Sequence, residues 1–189
     1  DFYKTFYVPN NAVLSIAGDI NTEECKQLVS DYFSNIPKGT KKIPRPNIIE
    51  PKKEAEIRDT VYDNIQLPAV IQGFHIPAEG TDDFYAVDML NKLLSDGASS
   101  RLNRALVEES QKAVYSGAFT FNLEDPGLTI VFAVANSGEN PKDIEDLMDR
   151  EYKKLKTTMI TEKELEKLRN QIENDFINSN SRMKGIAES

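Results

Sequence analysis

The sequence predicts an α+β fold in which an antiparallel sheet is layered with helices. Two apolar, alternating runs, "AVYSGAFTFNL" and "GLTIVFAVAN", flank the turn "EDPG", a hairpin signal. Long amphipathic segments with recognisable caps lie on both sides of that hairpin. Strands and helices therefore come in runs of hairpin, helices, hairpin, helices, which places the helices on one side of the sheet.

Taken in order, residues 1–6 read as a helix that Pro9, Asn10 and Asn11 break. "AVLSIAG" is short and β-branched enough for a strand ending at Gly18-Asp19. "NTEECKQLVSDYFSNI" is a helix with Asn21 as cap and Glu24 completing a capping box. Its apolar stripe is Leu28, Val29, Tyr32 and Phe33, and Pro37 stops it. From Pro37 to Glu56 the texture turns to proline and lysine without periodicity, the signature of an extended linker. "EIRDTVYDN" and "PAVIQGFHIP" read as strands joined by a short turn. "TDDFYAVDMLNKLLSDG" is an amphipathic helix closed by Gly97, and "SSRLNRALVEES" a second one capped by Ser99 or Ser100. After the hairpin, Asn140 caps a helix with Pro141 in its first position. Thr161 and Glu164 form a capping box for the last long one.

The bulk properties exclude several classes. With 189 residues the chain can bury a sizeable core, and no apolar run approaches a membrane span. A net charge of -8 without a basic stripe argues against nucleic acid and anionic lipid as partners. The single cysteine, Cys25, cannot form an internal disulfide, and its place inside a helix suggests packing rather than reactivity.

The residues that could carry chemistry are few. His75 is the only histidine, so no zinc set of histidines and cysteines can be assembled, and no acidic loop has calcium-ligand spacing. A lone histidine at a strand end reads as structural. No G-x-S-x-G elbow is present, and "SDGASSRL" lacks the lysine of a phosphate-binding loop. Gly18-Asp19 reads as a strand end followed by a helix cap. Tyr115 and Arg101 remain as substrate-contact candidates, because a phenol and a guanidinium can steady an oxyanion or hold a peptide backbone. No catalytic residue and no metal ligand is expected in this chain.

The succession "FYKTFYVPNNAVLSIAGDI", "YFSNIPKG", a proline-rich linker, "GASSRLNRALVEESQKAVYSGAF" and "ITEKELEKLRNQIENDF" resembles the zinc peptidases related to pitrilysin, insulin-degrading enzyme and the mitochondrial processing peptidase. The resemblance covers nearly the whole chain. It implies the LuxS/processing-peptidase-like metallohydrolase fold. It also implies a division into residues 1–36 as the C-terminal remnant of the zinc-bearing repeat, 37–56 as linker and 57–189 as a second, non-catalytic α+β domain. In that family zinc is held by an inverted H-x-x-E-H motif, which this sequence lacks. Zinc is thus expected in the parent protein, with its ligands outside this chain and none bound here.

The family's Arg-Tyr pair, L-R-x-x-x-x-x-x-Y, corresponds to "LVEESQKAVY". Tyr115 matches the tyrosine, Val107 stands in place of the arginine, and the spacing is one residue longer. That departure suits either a half whose partner supplies the pair or an inactive half. The resemblance implies a wall or scaffold segment of a peptide-enclosing chamber, inactive on its own. Its expected partners are a peptide or unfolded polypeptide, the zinc-bearing part and the facing half. Self-association into a homo-oligomer is also expected, since the first unit would leave apolar surface unburied. Relatives of this texture point to a bacterial envelope or periplasmic location. Two other readings stay open: a non-catalytic assembly or binding subunit of the same fold, and an unrelated enzyme using carboxylates as acid and base.

Overall fold

A computed structural model of the chain describes residues 1–47 and 49–188. Ile48 of the expected linker and Ser189 at the end of the expected second domain lie outside the described residues. The chain divides into two compact units, Asp1–Thr60 with Glu173–Ser189, and Val61–Ile172.

The first unit is helical and turn-rich. Helix α1 (Phe2–Phe6) stops before a 3₁₀ turn at Pro9–Asn11, where the Asn11 side-chain amide donates back to the Phe6 carbonyl at 2.9 Å. Helix α2 (Thr22–Phe33) starts under Asn21, whose side-chain oxygen accepts from the amides of Glu23 and Glu24. That cap satisfies two of the N–H groups a helix start leaves orphaned. The expected stripe on α2 is largely unburied, with Leu28, Tyr32 and Phe33 all exposed.

Two expected strands are not formed. "AVLSIAG" forms no strand, and Val13 is 97% exposed. "EIRDTVYDN" is likewise irregular, with Ile57, Val61 and Tyr62 exposed. The cause is the same in both: a strand exists only as one side of a hydrogen-bonded ladder. Among the described residues neither segment has a partner. Their apolar alternation sets the side-chain pattern of a strand but cannot supply the second side.

The second unit holds the sheet. Strands β1 (Ala69–Ile76), β2 (Ala113–Phe121) and β3 (Gly127–Ala135) are antiparallel in the order β1-β3-β2. The β2–β3 hairpin is the one its turn residues predict. Helix α3 (Asp82–Ser95) begins under the Thr81 hydroxyl and ends before Gly97, whose φ of +78° is the left-handed conformation a helix terminus needs. A single helical turn α4 (Arg101–Asn103) then widens into a π-helical segment, Arg104–Glu109. The expected α-helix over 99–110 is thus only partly α. The wider pitch shows in the Ser110 amide donating to the Ala105 carbonyl, five residues back. Ser100 takes the N-cap position, yet its buried hydroxyl caps nothing, so the turn rests on the Ser100 carbonyl and packing.

Helices α5 (Pro141–Thr157) and α6 (Glu162–Ser179) follow as predicted. Asn140 accepts from the Lys142 amide, and Thr161 and Glu164 exchange side-chain-to-backbone bonds in a complete capping box. Helix α7 (Met183–Glu188) lies in the first unit.

The core sits between one face of the sheet and the helices: Val131, Ala133 and Ala135 of β3 against Leu94, Leu102, Leu106, Ile144 and Met148. Small alanines on β3 let the helices approach closely. A buried polar link fixes the placement of α3, since the Asn91 amide donates to the hydroxyls of Thr120 at 3.0 Å and Thr129 at 2.9 Å. On α5, the Tyr152 hydroxyl donates to Gln72 of β1 at 2.8 Å, and its ring meets Phe74 edge-on. Burial pushes the Tyr152 phenol far up, so it stays a neutral donor.

Candidate functional site

Side chains alternate along a strand, so the register decides what the uncovered face displays. Tyr115, Gly117, Phe119 and Phe121 of β2 pair with Val134, Phe132, Ile130 and Leu128 of β3. On the far side Ala69, Ile71, Gly73 and His75 of β1 pair with the same four β3 residues. That face carries no Asp, Glu, Lys or Arg. Its rings form a connected series: Tyr115 to Phe132 at 5.6 Å, Phe132 to Phe119 at 6.1 Å and Phe119 to Phe121 at 5.3 Å. Tyr115 is 56% exposed and Ile71 69%.

Gly117 makes room for this arrangement. A Cβ there would stand 3.1 Å from the Phe132 ring and 3.3 Å from the Tyr115 hydroxyl oxygen. The absence of a side chain lets both rings lie over the strand.

The entry to β2 is held from several sides. Gln111 has a φ of +55°, and its carbonyl accepts from the Asn136 side chain. Lys112 donates to Glu139 at 2.7 Å and to Asp143 at 2.8 Å, and these bonds push its ammonium up to about 12. The pairing register shifts between Ala113 and Tyr115, leaving Val114 as an extra residue. A bulge of that kind re-aims the side chains that follow it.

The two sequence-nominated contacts fall on different sides of the sheet. Tyr115 lies on the uncovered face. Arg101 lies in the helical layer, where Nε and Nη2 donate to the two carboxylate oxygens of Glu164 at 2.8 and 2.9 Å. That pair raises the guanidinium pKa, and with the Thr161 bonds it holds the Glu164 carboxyl at about 2. Val107, at the position where the resemblance places arginine, packs against the core. Sequence reading did not single out Phe119, Phe121 and Phe132. The signal was present as aromatic residues two apart on β2, but both faces of the hairpin are apolar, so alternation alone did not say which one was covered.

Zinc finds no ligand set here. His75 is on β1 and Cys25, half-buried, is on α2. Among the described residues no group of three or more His, Cys, Asp or Glu could hold a metal ion. The residues of this chain do not fit a zinc centre.

The profile described as "Peptidase M16 inactive domain" matches residues 1–172. The chain belongs to that family. A curated relative, "Zinc protease PqqE" of Helicobacter pylori, is 29% identical over 180 residues, covering 94% of this chain and 40% of the relative. The crystal structure of a protease from Helicobacter pylori superposes with a TM-score of 0.88 at 28% identity, over 99% of this chain and 46% of that one. The peptidase M16 inactive domain from Pseudomonas fluorescens has a TM-score of 0.59 at 15% identity, over 82% of this chain and 37% of that one, and shows the fold alone. The chain therefore spans less than half of the first relatives it matches. As an M16 inactive domain of a pitrilysin-like zinc protease family, it has the mixed helix and antiparallel-sheet architecture that the sequence predicted. The relative named as a zinc protease supplies the link to zinc.

Proposed function

We propose that this chain is a non-catalytic segment of a zinc endopeptidase, and that the uncovered face of its sheet forms part of the wall against which a peptide or unfolded polypeptide is held. The observation that carries this reading is the uncharged aromatic face built by Tyr115, Phe119, Phe121 and Phe132. Exposed contiguous apolar surface of this kind marks a contact site. Aromatic rings give it area at low entropic cost, and the Tyr115 phenol adds a hydrogen-bonding tip. Zinc and its activated water belong to another part of the parent protein, which this segment faces and supports. Arg101 could reach a peptide only by releasing Glu164, so Tyr115 is the contact this reading carries forward.

The test is binding of a fluorescein-labelled, capped, extended peptide to the purified chain, together with metal analysis. The chain binds the peptide without zinc, and Tyr115→Ala weakens binding several-fold while leaving the melting temperature unchanged. One tightly held zinc per chain, or binding indifferent to Tyr115→Ala and to substitution of Phe119, overturns the proposal. Tight capture of a folded protein with no affinity for peptide would favour the assembly-subunit reading instead.

A further inference from the structure

Gly73 stands in the middle of β1 without the reasons that place the other glycines of the second unit. Gly80, Gly97 and Gly138 have φ of +85°, +78° and +82°, where a side chain is strained. A Cβ on Gly127 would fall 2.2 Å from the Phe121 carbonyl oxygen, and one on Gly117 would crowd the Phe132 ring. Gly73 has strand backbone outside the left-handed region, and the atom nearest a Cβ there would be Leu128 Cδ1, at an ordinary 3.6 Å. Glycine inside a strand weakens it and marks places where another group comes close to the backbone. Among the described residues no group comes that close to Gly73.

Gly117 shows what kind of group is missing. Both glycines lie on the uncovered face, but Gly117 is buried and Gly73 exposed. Gly117 pairs with Phe132, whose ring covers it, the way aromatic neighbours compensate glycines in sheets. Gly73 pairs with Ile130 instead, and Phe74 beside it in sequence turns to the helical side against Tyr152. The recess so left is bounded along β1 by Ile71 and His75, about 13 Å apart at roughly 3.3 Å per residue, and on β3 by Ile130 and Leu128. No Asp, Glu, Lys or Arg lies on this face. A charged side chain would be desolvated there without a partner, whereas a neutral ring only exchanges water for apolar walls.

We propose that Gly73 is a specificity-determining position, a recess that seats one aromatic side chain of the bound polypeptide. This rests on the peptide-wall reading and adds to it the place and the class of side chain recognised. The incoming ring covers Gly73 as Phe132 covers Gly117, with Ile71 and Ile130 beside it.

Two fluorescein-labelled, capped peptides test this, identical and neutral except for phenylalanine or alanine at one central position. Both are titrated into the full chain, Gly73→Val and Tyr115→Ala. The parent chain binds the phenylalanine peptide about tenfold more tightly than the alanine peptide, the scale set by burying one ring. Only the phenylalanine peptide shifts the Gly73 amide resonance, through its ring current. Gly73→Val fills the recess: it raises the melting temperature, because valine suits a strand better than glycine, yet it abolishes the preference for phenylalanine. Tyr115→Ala weakens both peptides and leaves that preference intact. No preference in the parent chain, a preference that survives Gly73→Val, or a melting temperature lowered by Gly73→Val overturns the recess assignment. The wall reading stands in each of these cases as long as Tyr115→Ala still weakens binding. Sedimentation showing a dimer that Gly73→Val dissociates makes a second copy the occupant and also overturns the assignment. Binding of neither peptide overturns both.

Discussion

Arg101 grips Glu164 through two parallel hydrogen bonds of 2.8 and 2.9 Å, and the same carboxylate accepts from the amide and hydroxyl of Thr161. One side chain thus completes the capping box of α6 and ties that helix to the turn beginning at Arg101. Both side chains are largely shielded from solvent. The geometry is the bidentate one that makes arginine pairs worth more than ordinary surface ion pairs.

The pH dependence of this link has a definite sign. Folding lowers the Glu164 pKa from an ordinary 4.5 to about 2. Its contribution is therefore complete above pH 4.5 and fades as pH falls toward 2. Glu164→Gln should cost about 1–3 kcal/mol near neutrality. The difference in unfolding free energy between the parent and Glu164→Gln should shrink across that acid window. Denaturant melts at a series of pH values measure it, and a gap that stays constant down to pH 2 would show that the carboxylate is not responsible.

Gln111 occupies a backbone conformation that favours glycine, with φ at +55° just ahead of β2. In the bond donated by the Asn136 side chain, Gln111 contributes only its backbone carbonyl, so the bond survives substitution of Gln111. Gln111→Gly should therefore stabilise the chain by about 0.5–1 kcal/mol, and Gln111→Val should destabilise it. Thermal melts of the two variants decide this. A lower melting temperature for the glycine variant would mean that the Gln111 side chain carries an interaction worth more than the strain.

The sequence announces elements that are closed by their own residues. Asn21, Asn140 and Thr161 each cap the helix that follows them, because a cap needs only a side chain and the next turn. The hairpin is legible for the same local reason. "AVLSIAG" and "EIRDTVYDN" were not, since their partners cannot be read from their own composition. The π-helical segment escaped as well: nothing in "RALVEE" separates it from an α-helix until Leu106 and Val107 must both reach the core. For the site, Tyr115 was visible and its aromatic neighbours were not, because register, not residue type, puts Phe132 beside it.

Asn91 is buried among apolar neighbours and spends its amide on two threonine hydroxyls of the sheet. Asn91→Ala removes the donor to both hydroxyls, of which the Thr129 hydroxyl keeps its bond to the Phe119 carbonyl, so it should cost about 1–3 kcal/mol. Combining Asn91→Leu with Thr120→Val and Thr129→Val removes every partner together and should recover most of that loss. Unfolding curves for the single and triple variants test the pairing. A triple variant no more stable than Asn91→Ala would show that the link matters for shape rather than for satisfied polarity.

Gly117 offers a way to move Tyr115 without touching it. Its backbone is ordinary strand, so alanine adds no conformational strain, and the atoms nearest the added methyl are those of the Phe132 ring at 3.1 Å and the Tyr115 hydroxyl oxygen at 3.3 Å. Both lie on the uncovered face and can swing outward, which keeps the expected stability loss small, about 1 kcal/mol or less. The expected consequence is local. Ring-proton shifts of Tyr115 and Phe132 change, and peptide affinity falls toward that of Tyr115→Ala while the rest of the fold holds. Unmoved rings with a deep fall in melting temperature would mean that Gly117 serves the sheet rather than the face, and would remove the positioning role assigned to it.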